Sequence, residues 1–138
     1  MTIDDVKQLV REYVERVWNG GDEAALERLT RTDFTYQLGG QPPRDRAALA
    51  SFIRETHAAF PDWRVEIADL VAEENIAAVR WHGRVTHSGP FRGIPPTGRT
   101  IPVSGINVYR IASGLIAAEW EQTDSLGMVQ QLGMLRPA

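Results

Sequence analysis

Two long strands constrain this fold more than any other part of the sequence. They run from Thr100 to Ile111 and from Leu115 to Thr123, joined by the tight turn Ala112-Ser113-Gly114. Their apolar residues alternate, so each strand has one face for a core and one for other surroundings. Two more alternating stretches precede them, Trp63 to Ala72 and Ile76 to His87, separated by the polar turn Glu73-Glu74-Asn75. Sequential strands with short turns pair antiparallel. Strands of about ten residues exceed the usual five or six, so the sheet is expected to curve strongly.

The first part of the chain reads differently. Val6, Leu9, Val10, Tyr13, Val14, Val17 and Trp18 recur at helical spacing behind a Thr2/Asp5 capping box, and Asn19-Gly20-Gly21 ends that helix. Asp22 caps a second, short helix that buries Leu26 and Leu29. A third begins at Arg44 or Asp45, buries Leu49, Phe52, Ile53, Thr56 and Phe60, and stops at Pro61. Asp33 to Leu38 is a short strand between them, and Leu126 to Leu132 a last short helix. Helices followed by hairpin-linked strands make an α+β fold: a curved antiparallel sheet packed against three N-terminal helices, with a short C-terminal helix. With no repeats, low-complexity runs or linkers, residues 1–138 are expected to form a single domain.

Composition removes several function classes. A net charge of −3 with mixed signs gives no basic footprint for nucleic acid and no polybasic membrane patch. The absence of cysteine excludes thiolate chemistry and Cys-ligated zinc, and it fits a cytoplasmic location. The acidic opening MTIDDVKQLV has no long apolar run, so neither a signal peptide nor a membrane span is expected. Three histidines at unrelated spacings form no metal motif, and there is no P-loop, dinucleotide fingerprint or nucleophile elbow. An enzyme built this way works without cofactor or metal, by acid-base chemistry in an apolar pocket.

Polar residues on the inner sheet face are the candidates. Period-two counting puts Gly105, Asn107 and Tyr109 on one face of the third long strand. It puts Ile116, Ala118, Trp120, Gln122 and Asp124 on one face of the fourth. Pairing Ala112 with Leu115 sets Asn107 opposite Trp120, so the two faces coincide. Asp124 then lies about 13 Å along the strand from Trp120, at the rim of an apolar sheet where a carboxylate is well placed to move protons. Asp124 also reads as a helix N-cap. Asn107 is either a buried amide satisfied by its neighbours or a donor to a substrate oxygen. His87 is either a partly exposed turn residue or a second proton carrier at the pocket mouth. Asp62 reads as a turn residue.

The motifs Trp18-Asn19-Gly20-Gly21-Asp22, Ala59-Phe60-Pro61-Asp62, the loop from Thr86 to Arg99 (THSGPFRGIPPTGR), and Trp120-Glu121-Gln122-Thr123-Asp124 with Gln131-Leu132-Gly133 resemble the SnoaL-like polyketide cyclases over nearly the whole chain. The resemblance implies the cone-shaped α+β fold of the nuclear transport factor 2-like superfamily and dimerisation through the sheet. It also implies a small apolar or aromatic substrate, and Asp124 as the acid/base of an aldol ring closure without cofactor. Asn107 stands where the cyclase has His, and Gln37 where many relatives have His. Other relatives are cofactor-free polyketide hydroxylases, with which an Asn107/Asp124 pair and Asp62 are compatible. A non-catalytic small-molecule binder on the same fold is the further alternative. The expected catalytic set is thus Asp124, Asn107, His87 and Asp62. Trp120, Tyr109, Trp63, Gln37, Phe34 and Phe91 are the expected substrate lining.

Overall fold

The computed structural model describes residues 1–133 of the chain. Helix α1 (Ile3–Tyr13) starts at the capping box: the Thr2 hydroxyl accepts from the Asp5 amide at 3.0 Å, and the Asp5 carboxylate accepts from the Thr2 amide at 2.9 Å. The helix continues as a π-helical segment, Val14–Asn19. Its whole apolar stripe, from Val6 to Trp18, is buried. Asn19 ties the end of this segment to the sheet: its side chain accepts from the Val65 amide at 2.8 Å and donates to the Val65 carbonyl at 3.0 Å. Helices α2 (Glu23–Leu29) and α3 (Arg46–Ala59) are capped by Asp22 and Asp45.

The strands are β1 (Thr30–Leu38), β2 (Glu66–Ala72), β3 (Ile76–Thr86), β4 (Thr100–Ala112) and β5 (Leu115–Thr123), followed by helix α4 (Ser125–Gln131). They form one five-stranded sheet in the order β1-β5-β4-β3-β2. The three hairpin pairs are antiparallel, as expected, but β1 adds to the edge of β5 in parallel, so the sheet is mixed. A strand that arrives from a helix and departs into another is not bound to a hairpin partner, and the free edge of β5 accepts it in either direction. With β1 on one side and β4 on the other, β5 is interior to the sheet. Its inward side chains therefore point into the most enclosed part of the molecule.

The β3–β4 pairing is regular from Ile76↔Arg110 to Thr86↔Thr100. Ala77, Val79, Trp81, Val85 and His87 are buried on its inner side, while Arg80, His82 and Arg84 are exposed, as the alternation predicts. The turn between β4 and β5 pairs Ala112 with Leu115 and places Ser113 and Gly114 at φ of 54° and 75°, the left-handed conformation of a tight two-residue hairpin. The register then slips by one. Ile111 faces Ile116, but Arg110 faces Ala118, so Ala117 is bulged out of the ladder. Every residue of β5 beyond the bulge faces opposite to the uninterrupted count. Among the described residues no helix is long and apolar enough to cross a membrane.

Candidate active site

The slip at Ala117 decides the site. Asn107 lies opposite Glu121, not Trp120, and Tyr109 lies opposite Glu119. The two glutamates, two positions apart on an interior strand, share the inner face and are 1% and 7% exposed. Trp120 points the other way, lies beneath the Arg110 guanidinium and is 38% exposed.

Two buried carboxyls at this spacing need donors, and the surrounding aromatics supply them. Glu119 accepts from the Tyr13 hydroxyl at 2.5 Å, the Trp18 indole N–H at 2.9 Å and the Asn107 amide at 2.9 Å. Glu121 accepts from the Tyr36 hydroxyl at 2.8 Å and from the Thr123 hydroxyl. The Asn107 carbonyl oxygen in turn accepts from the Trp81 indole N–H at 2.9 Å. The π-helical segment matters here, because it carries Trp18 across the top of Glu119. Gly105 matters for the same reason. A Cβ there would lie 2.5 Å from the Trp81 ring, so only glycine lets that ring cross β4 toward Asn107.

Burial sets the proton affinity of the pair. Loss of hydration pushes Glu119 up to about 7, against the pull of its hydrogen-bond donors, and the neighbouring Glu121 charge pushes the same way. Glu121 is also raised, again by burial first, with the Thr123 and Tyr36 hydroxyls acting against it. The same burial, with the adjacent Glu119 carboxylate, holds the Tyr13 and Tyr109 phenols well above their ordinary range; Tyr36 is raised by burial and by Glu121. The tyrosines therefore stay protonated as donors, and Glu119 is the group whose proton exchanges near neutrality, with Glu121 raised beside it.

Two small chambers meet at Glu121. The inner one, with ≈ 20 Å³ of free space, is lined by Val14, Trp18, Trp63, Val65, Trp81, Asn107, Tyr109 and Glu121. The outer one, ≈ 30 Å³, shares Trp18, Trp63 and Glu121 and adds Phe52, Phe60, Phe91 and Arg92 among others. Each has room for about one or two waters. Beyond the outer chamber, a recess of ≈ 250 Å³ is bounded by Phe52, Glu55, Thr56, Pro90, Phe91, Arg92 and Gly93. Phe91 and Arg92 therefore stand between recess and chamber, on the tight turn that pairs Phe91 with Ile94. Arg92 holds a φ of 49° there, a conformation unfavourable for a residue with a side chain, and its guanidinium packs over the Phe91 ring. A separate cavity of ≈ 240 Å³ between α2 and α3 has its polar groups already engaged: Asp22 as a cap, Glu23 with Arg54, and His57 with the Trp18 carbonyl.

Of the residues expected from the sequence, Asn107, Tyr109, Trp63 and Phe91 line these chambers. The others lie elsewhere. Asp124 is exposed and caps α4, accepting from the Gly127 amide at 3.0 Å. Asp62 holds the end of β3 by accepting from the Thr86 amide and hydroxyl at 2.8 and 2.9 Å. His87 is fully buried rather than exposed at a mouth; its Nδ1 accepts from the Thr97 amide at 3.2 Å, and its ring packs behind Phe60 and Phe91. Phe34 is core beside Tyr13. Gln37 pairs with Trp120 in the β1–β5 ladder and shares its outward face, because the inward position on β1 belongs to Tyr36. Asn107 is buried as expected, but its amide and carbonyl are both used within the protein. Glu119, Glu121 and Tyr36 are the residues of this buried polar centre that the sequence reading missed. The signal for them was a pair of carboxylates in an otherwise apolar strand, which simple alternation assigns to the solvent face.

The comparisons agree with this architecture. The family model for SnoaL-like polyketide cyclases matches residues 8–132. IdmH from Streptomyces antibioticus, a proposed polyketide cyclase, is 32% identical, superposes with a TM-score of 0.80, and the match covers 91% of this chain and 96% of that one. A proposed polyketide cyclase from Acidithiobacillus ferrooxidans is 28% identical with a TM-score of 0.83, over 99% of this chain and 100% of that one. AclR from Streptomyces galilaeus, a proposed hydroxylase, shares the fold with a TM-score of 0.88 at 24% identity, over 99% of this chain and 86% of that one. A search of curated protein sequences gave no match. A family model spanning nearly all of the described residues, on a helix-filled curved sheet with an enclosed polar centre, means that the chain belongs to the SnoaL-like polyketide cyclase family.

Proposed function

We propose that the chain enolises a carbonyl compound of the aromatic polyketide class for intramolecular aldol ring closure, with Glu121 as acid/base. The observation that carries this reading is the buried Glu119/Glu121 pair, with Glu121 at the meeting point of the two aromatic-lined chambers. The Glu121 carboxylate takes a proton from carbon between two carbonyls, and the C–H electron pair becomes the enolate. That carbon attacks a third, more distant carbonyl of the same molecule, and Glu121 returns its proton to the alkoxide formed. The step balances with no other reactant. Desolvation makes Glu121 a stronger base than a carboxylate in water, and the Tyr36 and Thr123 hydroxyls hold its orientation. Glu119 does not line either chamber and acts by positioning Asn107 and by sharing the pair's charge.

The test is α-proton exchange of a bicyclic aromatic ketone, 1-tetralone, in D2O, with product mass recorded for a tricyclic polyketide alongside. Wild type is expected to exchange the α-protons, and Glu121→Gln to lose at least about a hundredfold of that rate while remaining folded. Full exchange by Glu121→Gln refutes the assignment. A mass gain of one oxygen under air identifies a hydroxylase, and binding without new product identifies a carrier. A homodimer through the outer sheet face belongs to the same reading. Ile106 is 50% exposed and Trp120 38% exposed on that face, and light scattering of Ile106→Glu tests it by loss of the dimer mass.

A further inference from the structure

The four tryptophans divide by what their indole N–H does. Trp120 is partly exposed on the outer face. Trp18 donates to Glu119 and Trp81 to Asn107, both at 2.9 Å, inside the buried network. Trp63 is equally enclosed, at 9% exposure, yet its Nε1 has no acceptor among the described residues. A buried N–H without a partner is unfavourable and uncommon, and it persists where something else supplies the acceptor. The ring's position indicates what that is. Trp63 lines both chambers, as Glu121 does, so the ring that carries the unmatched donor and the base border the same enclosed space. The Trp63 ring is fixed between Phe60 at 6.1 Å and Trp81 at 6.3 Å, centroid to centroid, which holds the N–H in one direction.

We infer that the Trp63 indole N–H is the hydrogen-bond donor for the ligand's carbonyl oxygen, beside the carbon that Glu121 deprotonates. This deepens the proposed function and rests on it. It also defines the ligand class more closely: a flat aromatic ketone with an α-hydrogen, whose oxygen enters the chambers ahead of its rings. Asn107 is already engaged within the protein: its amide donates to Glu119 and to the Tyr109 hydroxyl, and its oxygen accepts from Trp81. When Glu121 removes the proton, the C–H pair forms the new C=C bond and the carbonyl π pair moves onto oxygen. The developing negative charge falls on the atom that accepts from Trp63. A neutral donor is suited to this place, because it binds the ketone oxygen and its hydrogen bond strengthens as negative charge develops there.

The experiment compares 1-tetralone with tetralin, the same bicyclic skeleton without the oxygen. Indole N–H resonances of the 15N-labelled full chain are followed by NMR, with the Trp63 signal assigned from Trp63→Phe. Tetralone is expected to move the Trp63 indole proton downfield and to bind about tenfold more tightly than tetralin. In Trp63→Phe that preference is expected to fall to within about twofold, with the Trp18 and Trp81 signals retained as the sign that the buried network is intact. Tetralone bound with the Trp63 signal unmoved overturns the inference, as does a preference that survives Trp63→Phe or a failure of tetralone to bind. The two readings separate cleanly. A Trp63 shift without α-proton exchange supports the donor and refutes Glu121 as base, whereas exchange without the shift does the reverse.

Discussion

Replacing Glu119 with Gln should remove most of a pH dependence of stability that runs opposite to that of most carboxylates. A paired surface carboxylate stabilises a protein above its unfolded pKa and loses that contribution in acid. Glu119 is fully buried and its folded value is pushed from 4.5 up to about 7, so the native state holds a proton that the unfolded chain has already released. Its stabilising contribution is complete below pH 4.5 and is lost as pH rises through about 7. At about 1.4 kcal/mol for each pH interval over which only the native state holds the proton, the loss is about 3 kcal/mol, or on the order of 10 °C in Tm for a domain of this size. Asp5, Asp33 and Glu15 do not obscure it. Their hydrogen bonds, to Thr2, Arg31 and Arg64 respectively, hold them below their ordinary range, so they respond only in stronger acid. Gln suits the site: its oxygen can accept from Trp18 and Asn107 while its NH2 faces a reversed Tyr13 hydroxyl. The assay is urea unfolding at pH 5 and pH 8. Wild type should be less stable at pH 8, Glu119→Gln should lose most of the difference, and the double change with Glu121→Gln should remove the remainder. A wild-type stability that is flat or rising over this interval refutes the reasoning.

Three further outcomes follow from individual contacts. Asp124→Ala removes the α4 cap and should cost about 1 kcal/mol in unfolding free energy while leaving tetralone exchange unchanged; loss of exchange in a folded protein would return the acid/base to Asp124. Gly105→Ala puts a methyl group 2.5 Å from Trp81 and 2.6 Å from the Gln122 carbonyl oxygen, and should destabilise by about 1–3 kcal/mol in a thermal melt. Asn107→Leu strands the Trp81 N–H and removes a donor from Glu119. It should cost about 1–3 kcal/mol and carry the pH-dependent loss of stability to higher pH, read from the same urea series.

Much of the fold was legible because its elements announce themselves by period. The α1 stripe, the caps at Thr2, Asp22 and Asp45, and the alternation of β3 and β4 are local rules obeyed locally. The parallel partnership of β1 was not legible, since nothing in Thr30–Leu38 records which strand edge lies free elsewhere in the sheet. The site depended on something smaller. Alternation is a running count, and one bulged residue inverts every inference after it. Up to Ile116 the β4–β5 pairing is the expected one; after Ala117, Trp120 and Glu121 exchange faces. The count had placed the apolar Trp inward and the two glutamates outward, which is the lower-energy choice for any strand without bound function. Inverting it buries two carboxyls, and that is tolerable only because Tyr13, Trp18, Tyr36 and Asn107 already converge there from α1, the π-helical segment, β1 and β4. Those four residues are ordinary core material to a sequence reading, and only their joint orientation makes a receptor for a carboxylate pair. The bulge and the donor cluster are therefore one feature: without the donors the inverted register would be too costly, and without the bulge the donors would have nothing to bind.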